Sequence, residues 1–302
     1  MKRKYKAASR DYTKAMLPQS RKEIFFDVLQ LQWRKLLLLG VILMLFSLPL
    51  LVSALVGDVY AGGIISSVES GGAELQAMAA WELFRFELLR GAVNILLLLA
   101  FLVGLSGVLR VLRQLAWEEN VHLPTEFAAG IRSNFGQFSA LGLLCGIIAL
   151  LCRILLFFSA AYRSGWTATV SLLPFAVSVL LLLPPACICL VMIPVYANPL
   201  KANLKNAFYV YSCAPWRVLG TLAVCALFWV PSLLPYIYCQ IFGHLFAFLT
   251  LPLPLLGWTL FCYSRFDLFI NGEQCPQLIG KGIFRALEEA VTEEIHTEES
   301  KS

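Results

Sequence analysis

Apolar and polar positions along this chain fall into long blocks, without the two-residue alternation of a half-buried strand. Six blocks are apolar for about 20 residues, enough for a helix to cross a hydrocarbon core of about 30 Å. They cover residues 36–56, 92–111, 138–161, 169–195, 218–239 and 242–263, the second lying inside a helix that starts near Glu74. In lipid the backbone must satisfy its own hydrogen bonds, which leaves helices or a closed barrel. Continuous apolar runs exclude the alternating pattern of a barrel. The fold class is therefore all-α, a polytopic transmembrane helical bundle of about six spans.

The segments between the blocks have patterns of their own. Ile24, Phe25, Val28 and Leu29 stand at helical spacing among Arg21, Lys22, Glu23 and Asp27, which predicts a short amphipathic helix at the membrane surface. Phe127, Ile131 and Phe135 follow one another at four-residue steps, as an interfacial helix or a partner-docking element. After the last block, Ile279, Ile283, Leu287 and Val291 predict another amphipathic helix, flanked by Glu288, Glu289, Glu293 and Glu294. The small-residue stretch AGGIISSVESGGAEL reads as a loop without packing surface, and residues 75–90 extend the second span outward. Three regions follow: a basic tail with an interfacial helix over 1–35, the membrane domain over 36–265, and an amphipathic helix with an acidic tail over 266–302.

Composition replaces the default of one or two soluble domains with a membrane protein. Hydrophobic residues make up 59% of the 302 positions and charged residues 14%, against about half and a quarter in soluble domains. The first apolar block is longer than the core of a signal peptide, so it is read as a retained span.

Charge then sets the orientation. Lys2, Arg3, Lys4, Lys6, Arg10, Lys14, Arg21, Lys22, Arg34 and Lys35 precede the first span. Arg110, Arg113, Arg132, Lys201, Lys205, Arg217, Arg265, Lys281 and Arg285 fall on the same side. The other side holds Arg85, Arg90 and Arg163 against Asp58, Glu69, Glu74, Glu82 and Glu87. Both termini are expected in the cytoplasm. The basic tail then meets anionic lipid headgroups, and no nucleic acid is expected as a partner.

The nine cysteines fit no disulfide framework and read as small hydrophobes within the spans. Cys187 and Cys189 point to different helix faces, which argues against a metal pair. No P-loop, nucleophile elbow or zinc-type histidine pair occurs, so neither an enzyme nor a cofactor is expected. Arg153 is the one clear ionisable group within a span, about 22 Å along the helix from Phe138. It either snorkels or forms a structural pair, or it faces the bundle to meet Glu82, Glu87 or an anionic substrate. Prolines crowd the later spans, at Pro174, Pro184, Pro185, Pro194, Pro231, Pro235, Pro252 and Pro254. Broken helices of this kind can line a substrate path, here beside Phe228, Trp229, Tyr236 and Tyr238.

Three blocks carry a family resemblance. They are FFDVLQLQWRKLLLLGVILMLFSLPL, LSGVLRVLRQLAWEENVHLPTEFAAGIRSNFGQF and IPVYANPLKANLKNAFYVYSCAPWRVL. Together they resemble the YesL-like family of bacterial multi-pass membrane proteins, a domain of unknown function. The resemblance implies a bacterial cytoplasmic membrane and an association with carbohydrate uptake. Together with the amphipathic cytoplasmic segments and the absence of catalytic residues, it leads to the expectation of an accessory protein that assists or regulates a solute importer, with importer subunits as partners. A permease in its own right is the alternative.

Overall fold

The computed structural model describes residues 18–68, 73–117, 121–161, 165–233 and 237–283. No strand occurs among them. Four helices are long and apolar enough to cross a membrane, and six spans result if each of two sharply bent helix pairs counts as one. This is the architecture of an integral membrane protein.

The chain runs to and fro between two poles. Helix α1 (Arg21–Val68) rises to the far pole, α2 (Ala73–Ala116) returns, and α3 (Leu123–Ala161) rises again. The fourth pass comprises α4 (Gly165–Val177), a π-helical turn Ser178–Leu182 and α5 (Leu183–Met192). Helix α6 (Leu200–Cys213) then folds against α5 and meets α7 (Pro215–Ala226) at 100°. A 3-10 segment, Leu227–Leu233, continues α7. The last pass joins α8 (Ile237–Thr250) to α9 (Pro252–Phe266) through a 46° bend, where two prolines open α9. The pole carrying Arg21, Arg113 and Arg265 is called the basic pole below.

The amphipathic entry is a helical stretch of its own, ended by a kink at Gln32 where φ of −121° and ψ of 16° leave the helical region, and the first span follows it. Sequence and structure part company at three places. The stretch read as a small-residue loop is helical as far as Val68, continuing α1 past Tyr60, which packs 4.5 Å from Phe86. Ile279 and Ile283 do not start an amphipathic helix. Gly280 and Gly282 take positive φ of 63° and 87°, which turns the chain where a helix would need to continue. Leu287 and Val291 lie outside the described residues. Finally, the sequence reading passed over α6, whose buried Asn203, Ala207, Val210 and Tyr211 recur at helical spacing.

The core is lopsided. Leu39, Leu43, Val108, Leu112, Phe138, Ile188, Met192 and Leu256 are fully buried, and all lie in the half nearer the basic pole. Toward the far pole, Val56, Val59, Met78, Trp81, Leu151, Val170 and Leu173 are exposed, as bilayer-facing side chains are. Backbones also approach closely on the way: a Cβ on Gly40 would overlap the Leu249 carbonyl, so α1 and α8 pack as near as a glycine permits.

Candidate functional site

Proline chemistry explains the π-helical turn. Pro184 has no N–H to donate to the Leu180 carbonyl four residues earlier, as an α-helix would require. The Tyr211 hydroxyl, brought in by α6, donates to that carbonyl instead at 2.6 Å. On the other side of the turn, the Ser178 hydroxyl donates to the Pro174 carbonyl at 2.8 Å and lies 3.3 Å from Cys152 Sγ. A bulge of this type widens one turn of a helix and recurs at functional sites.

Beside it, between α3 and the fourth pass, lies a cavity of about 340 Å³. Its walls include Cys145, Ala149, Leu156, Phe175 and Leu182, and among the described residues the one charge in its wall is Arg153. A second cavity of about 220 Å³ flanks the other side of Arg153, walled by Gly91, Asn94, Gly146 and Leu150. Asn94 is held there by the Ser53 hydroxyl, which donates to its Oδ1 at 2.7 Å.

Arg153 ends a chain of four charges that ties α1, α2 and α3 together. Its Nε sits 2.6 Å from Glu87 Oε2. The other Glu87 oxygen pairs with Arg90 at 3.3 Å, and Arg90 reaches Asp58 at 2.9 Å and the Ala54 carbonyl at 2.8 Å. Arg90 is only 8% exposed. A buried guanidinium needs such partners, since an unpaired charge in a low-dielectric setting is expensive. Glu87 is one of the partners that the sequence allowed for Arg153, and the paired Arg153 side chain stays 43% exposed.

The remaining sequence candidates scatter. Trp229 is occupied by α8, edge-on to Phe248 at 4.8 Å and to His244 at 6.0 Å. Tyr236 lies outside the described residues. Phe127, Ile131 and Phe135 belong to α3 itself and not to a separate interfacial helix. Four-residue steps advance about 40° too far for one face, so the stripe drifts by about 80° over its length. Phe127 turns inward, 6.4 Å from Phe46, whereas Phe135 is 53% exposed.

The basic pole has a polar network that the sequence did not announce. Arg21 pairs with Asp267 at 2.9 Å, donates to the Lys281 carbonyl at 2.6 Å and lies over the Tyr263 ring. Asn271 donates to Asp267 at 2.7 Å and accepts from the Tyr196 hydroxyl at 2.6 Å. Arg113 donates to the Pro194 carbonyl and stacks on Trp117, over which Lys281 also lies. Glu126 accepts from Arg110 at 3.1 Å and from Gln114 at 2.6 Å. Asn203 reaches Gln137 at 3.2 Å and so fastens α6 to α3. Among the described residues, no group of three or more His, Cys, Asp or Glu side chains is placed to hold a metal ion.

Compared with protein-family models, with curated proteins and with solved structures, the chain matches none.

Proposed function

We propose that this membrane protein is a non-catalytic accessory subunit that assists or regulates a solute importer. On the resemblance to the YesL-like family, the solute is a carbohydrate and the membrane is that of a bacterial cytoplasm. On the distribution of Lys and Arg, the basic pole faces the cytoplasm.

The observation that carries the reading is the packing of the basic half. Side chains from α1, α2, α3, α5 and α9 make its buried centre, and the Arg21–Asp267 and Arg113–Pro194 contacts tie it at the end, while a groove of about 660 Å³ opens at its side between the start of α1 and α9, walled by Phe25, Phe26, Gly257 and Phe261. Such a half is a platform and not a conduit. Around it stand aromatic side chains with broad exposure, Trp216 at 83% and Phe135 at 53%, beside the exposed Tyr209. They combine interfacial anchoring with a surface on which an importer subunit can rest.

The test is mild-detergent affinity purification of the tagged full chain, followed by mass spectrometry. The reading expects importer subunits in fixed stoichiometry, and their loss in the Phe135→Ala, Trp216→Ala double variant. A monodisperse protein recovered alone would overturn it.

A permease is the second reading, favoured by the two cavities beside Arg153 and by the bend between α8 and α9. Arg153→Ala separates the two. A permease that uses this residue loses transport while its expression holds, and an accessory subunit leaves its importer active.

A further inference from the structure

We infer that the cavity between α3 and the π-helical turn is a binding site for one membrane phospholipid of net negative charge, with an acyl chain in the cavity and the phosphate of its headgroup, uncompensated by a headgroup cation, at Arg153. The inference is independent of the accessory reading, since either an accessory subunit or a permease can hold a lipid.

Three observations specify an amphiphile. The first is the distribution of polarity. Among the described residues, the cavity is walled by aliphatic, aromatic and thiol side chains, with the Ser178 hydroxyl turned to the Pro174 carbonyl and Arg153 as the one charge. From Arg153 to Cys145 is eight residues of α3, so apolar wall continues for about 12 Å on the side away from the far pole. Charge above and hydrocarbon below is the polarity of one lipid lying along a bundle.

The second is the opening. Leu151, Phe175, Val179 and Leu183 are exposed around the cavity, so its border is continuous with the bilayer-facing surface. An acyl chain enters such a cavity sideways without crossing a polar barrier. A sugar or free ion would have to leave water, pass through hydrocarbon and find one guanidinium at the end.

The third is the geometry of the charge. Glu87 takes Arg153 through Nε, and the Arg153 side chain remains 43% exposed while its partner is 18% exposed. Glu87 is shared with Arg90, so it serves two guanidinium groups at once. A guanidinium offers five N–H donors in a fixed fork and matches a phosphate better than any other side chain does. Glu87 therefore orients the fork, and the phosphate takes what faces the cavity. Arg153 stands about 22 Å along α3 from Phe138, within reach of the far headgroup layer once the side chain extends.

The test uses the full chain in nanodiscs of phosphatidylcholine doped with a trace of photoactivatable phosphatidylglycerol, the diazirine being carried on the acyl chain. The proposal expects crosslinks concentrated in the peptides spanning 145–156 and 175–183. Arg153→Gln should lower labelling roughly tenfold, the size of one charge-assisted hydrogen bond lost. Arg153→Lys should recover part of it, and Ala149→Trp, which fills the cavity and keeps the charge, should abolish it. Circular dichroism and gel filtration identify any variant that has merely unfolded, and for such a variant competition by unlabelled phosphatidylglycerol against the wild type gives the decision. The proposal expects that competition to be strong, and weak with unlabelled phosphatidylcholine. Equal labelling by a phosphatidylcholine probe, an even spread of crosslinks over α1 and α2, or a crosslinked second copy of the chain on 145–156 would each overturn it.

Discussion

The two halves of this bundle are built from the same kind of sequence and do opposite things with it. In the basic half, apolar side chains of α1, α2, α3, α5 and α9 turn toward one another and make a buried centre, with a groove of about 660 Å³ left at its side between the start of α1 and α9. Polar residues there knit helix ends together, as Arg21 does between α1 and the segment after α9. In the far half, the helices leave two cavities on either side of Arg153, and regular α-geometry is lost at Ser178–Leu182 and at Leu227–Leu233, as it is in the basic half at the π-helical turn Asp267–Asn271. Among the described residues of the far half, a charge chain Asp58–Arg90–Glu87–Arg153 links three helices, beside a separate Arg85–Glu82 pair on α2. Hydrophobicity alone therefore specifies insertion but not packing. Lipid is as apolar as leucine, so what holds helices together in a bilayer is close contact and polar pairing.

The comparison can be broken by matched substitutions, read as shifts in unfolding of the detergent-solubilised protein. The largest effect belongs to Phe138→Ala, which empties the centre of the basic half and should cost about 3–5 kcal/mol. Next, Asp267→Ala strands Arg21 and removes the acceptor of Asn271, for a loss of about 1–3 kcal/mol. Leu156→Ala enlarges a cavity that already exists, so it should cost about 1 kcal/mol or less. The smallest change is expected from Asp58→Asn, within about 0.5 kcal/mol, because Asp58 is 70% exposed and its pair with Arg90 is screened. A ranking in which Leu156→Ala matches Phe138→Ala would remove the distinction between the halves.

The six apolar blocks were legible because span length is set by bilayer thickness, and each reappears as a pass or a bent pair. The start of α2 near Glu74 was legible from the helical pattern before the second span, and the structure begins it at Ala73. Glu87 was among the partners named for Arg153, since both stand at similar depth on neighbouring passes. The π-helical turn was not foreseen, because Pro184 announces a lost donor but not which group replaces it. That group, the Tyr211 hydroxyl, stands 31 residues away on a helix that the sequence reading passed over. Helix α6 was hidden by its own polarity, its Lys201 and Lys205 having served as topology markers, although Asn203, Ala207 and Val210 carried a helical signal. The basic network escaped for a related reason. Arg21 and Asp267 are 246 residues apart, and nothing local in either neighbourhood points to the other.

The most direct measurement is hydrogen exchange of the protein in nanodiscs, followed peptide by peptide. A closed basic half beneath a looser far half predicts the slowest exchange in residues 102–116, 186–192 and 256–266, with clearly earlier exchange in 174–182 and 227–233. Uniform protection along every pass, or slower exchange at the π-helical turn than in 102–116, would contradict it.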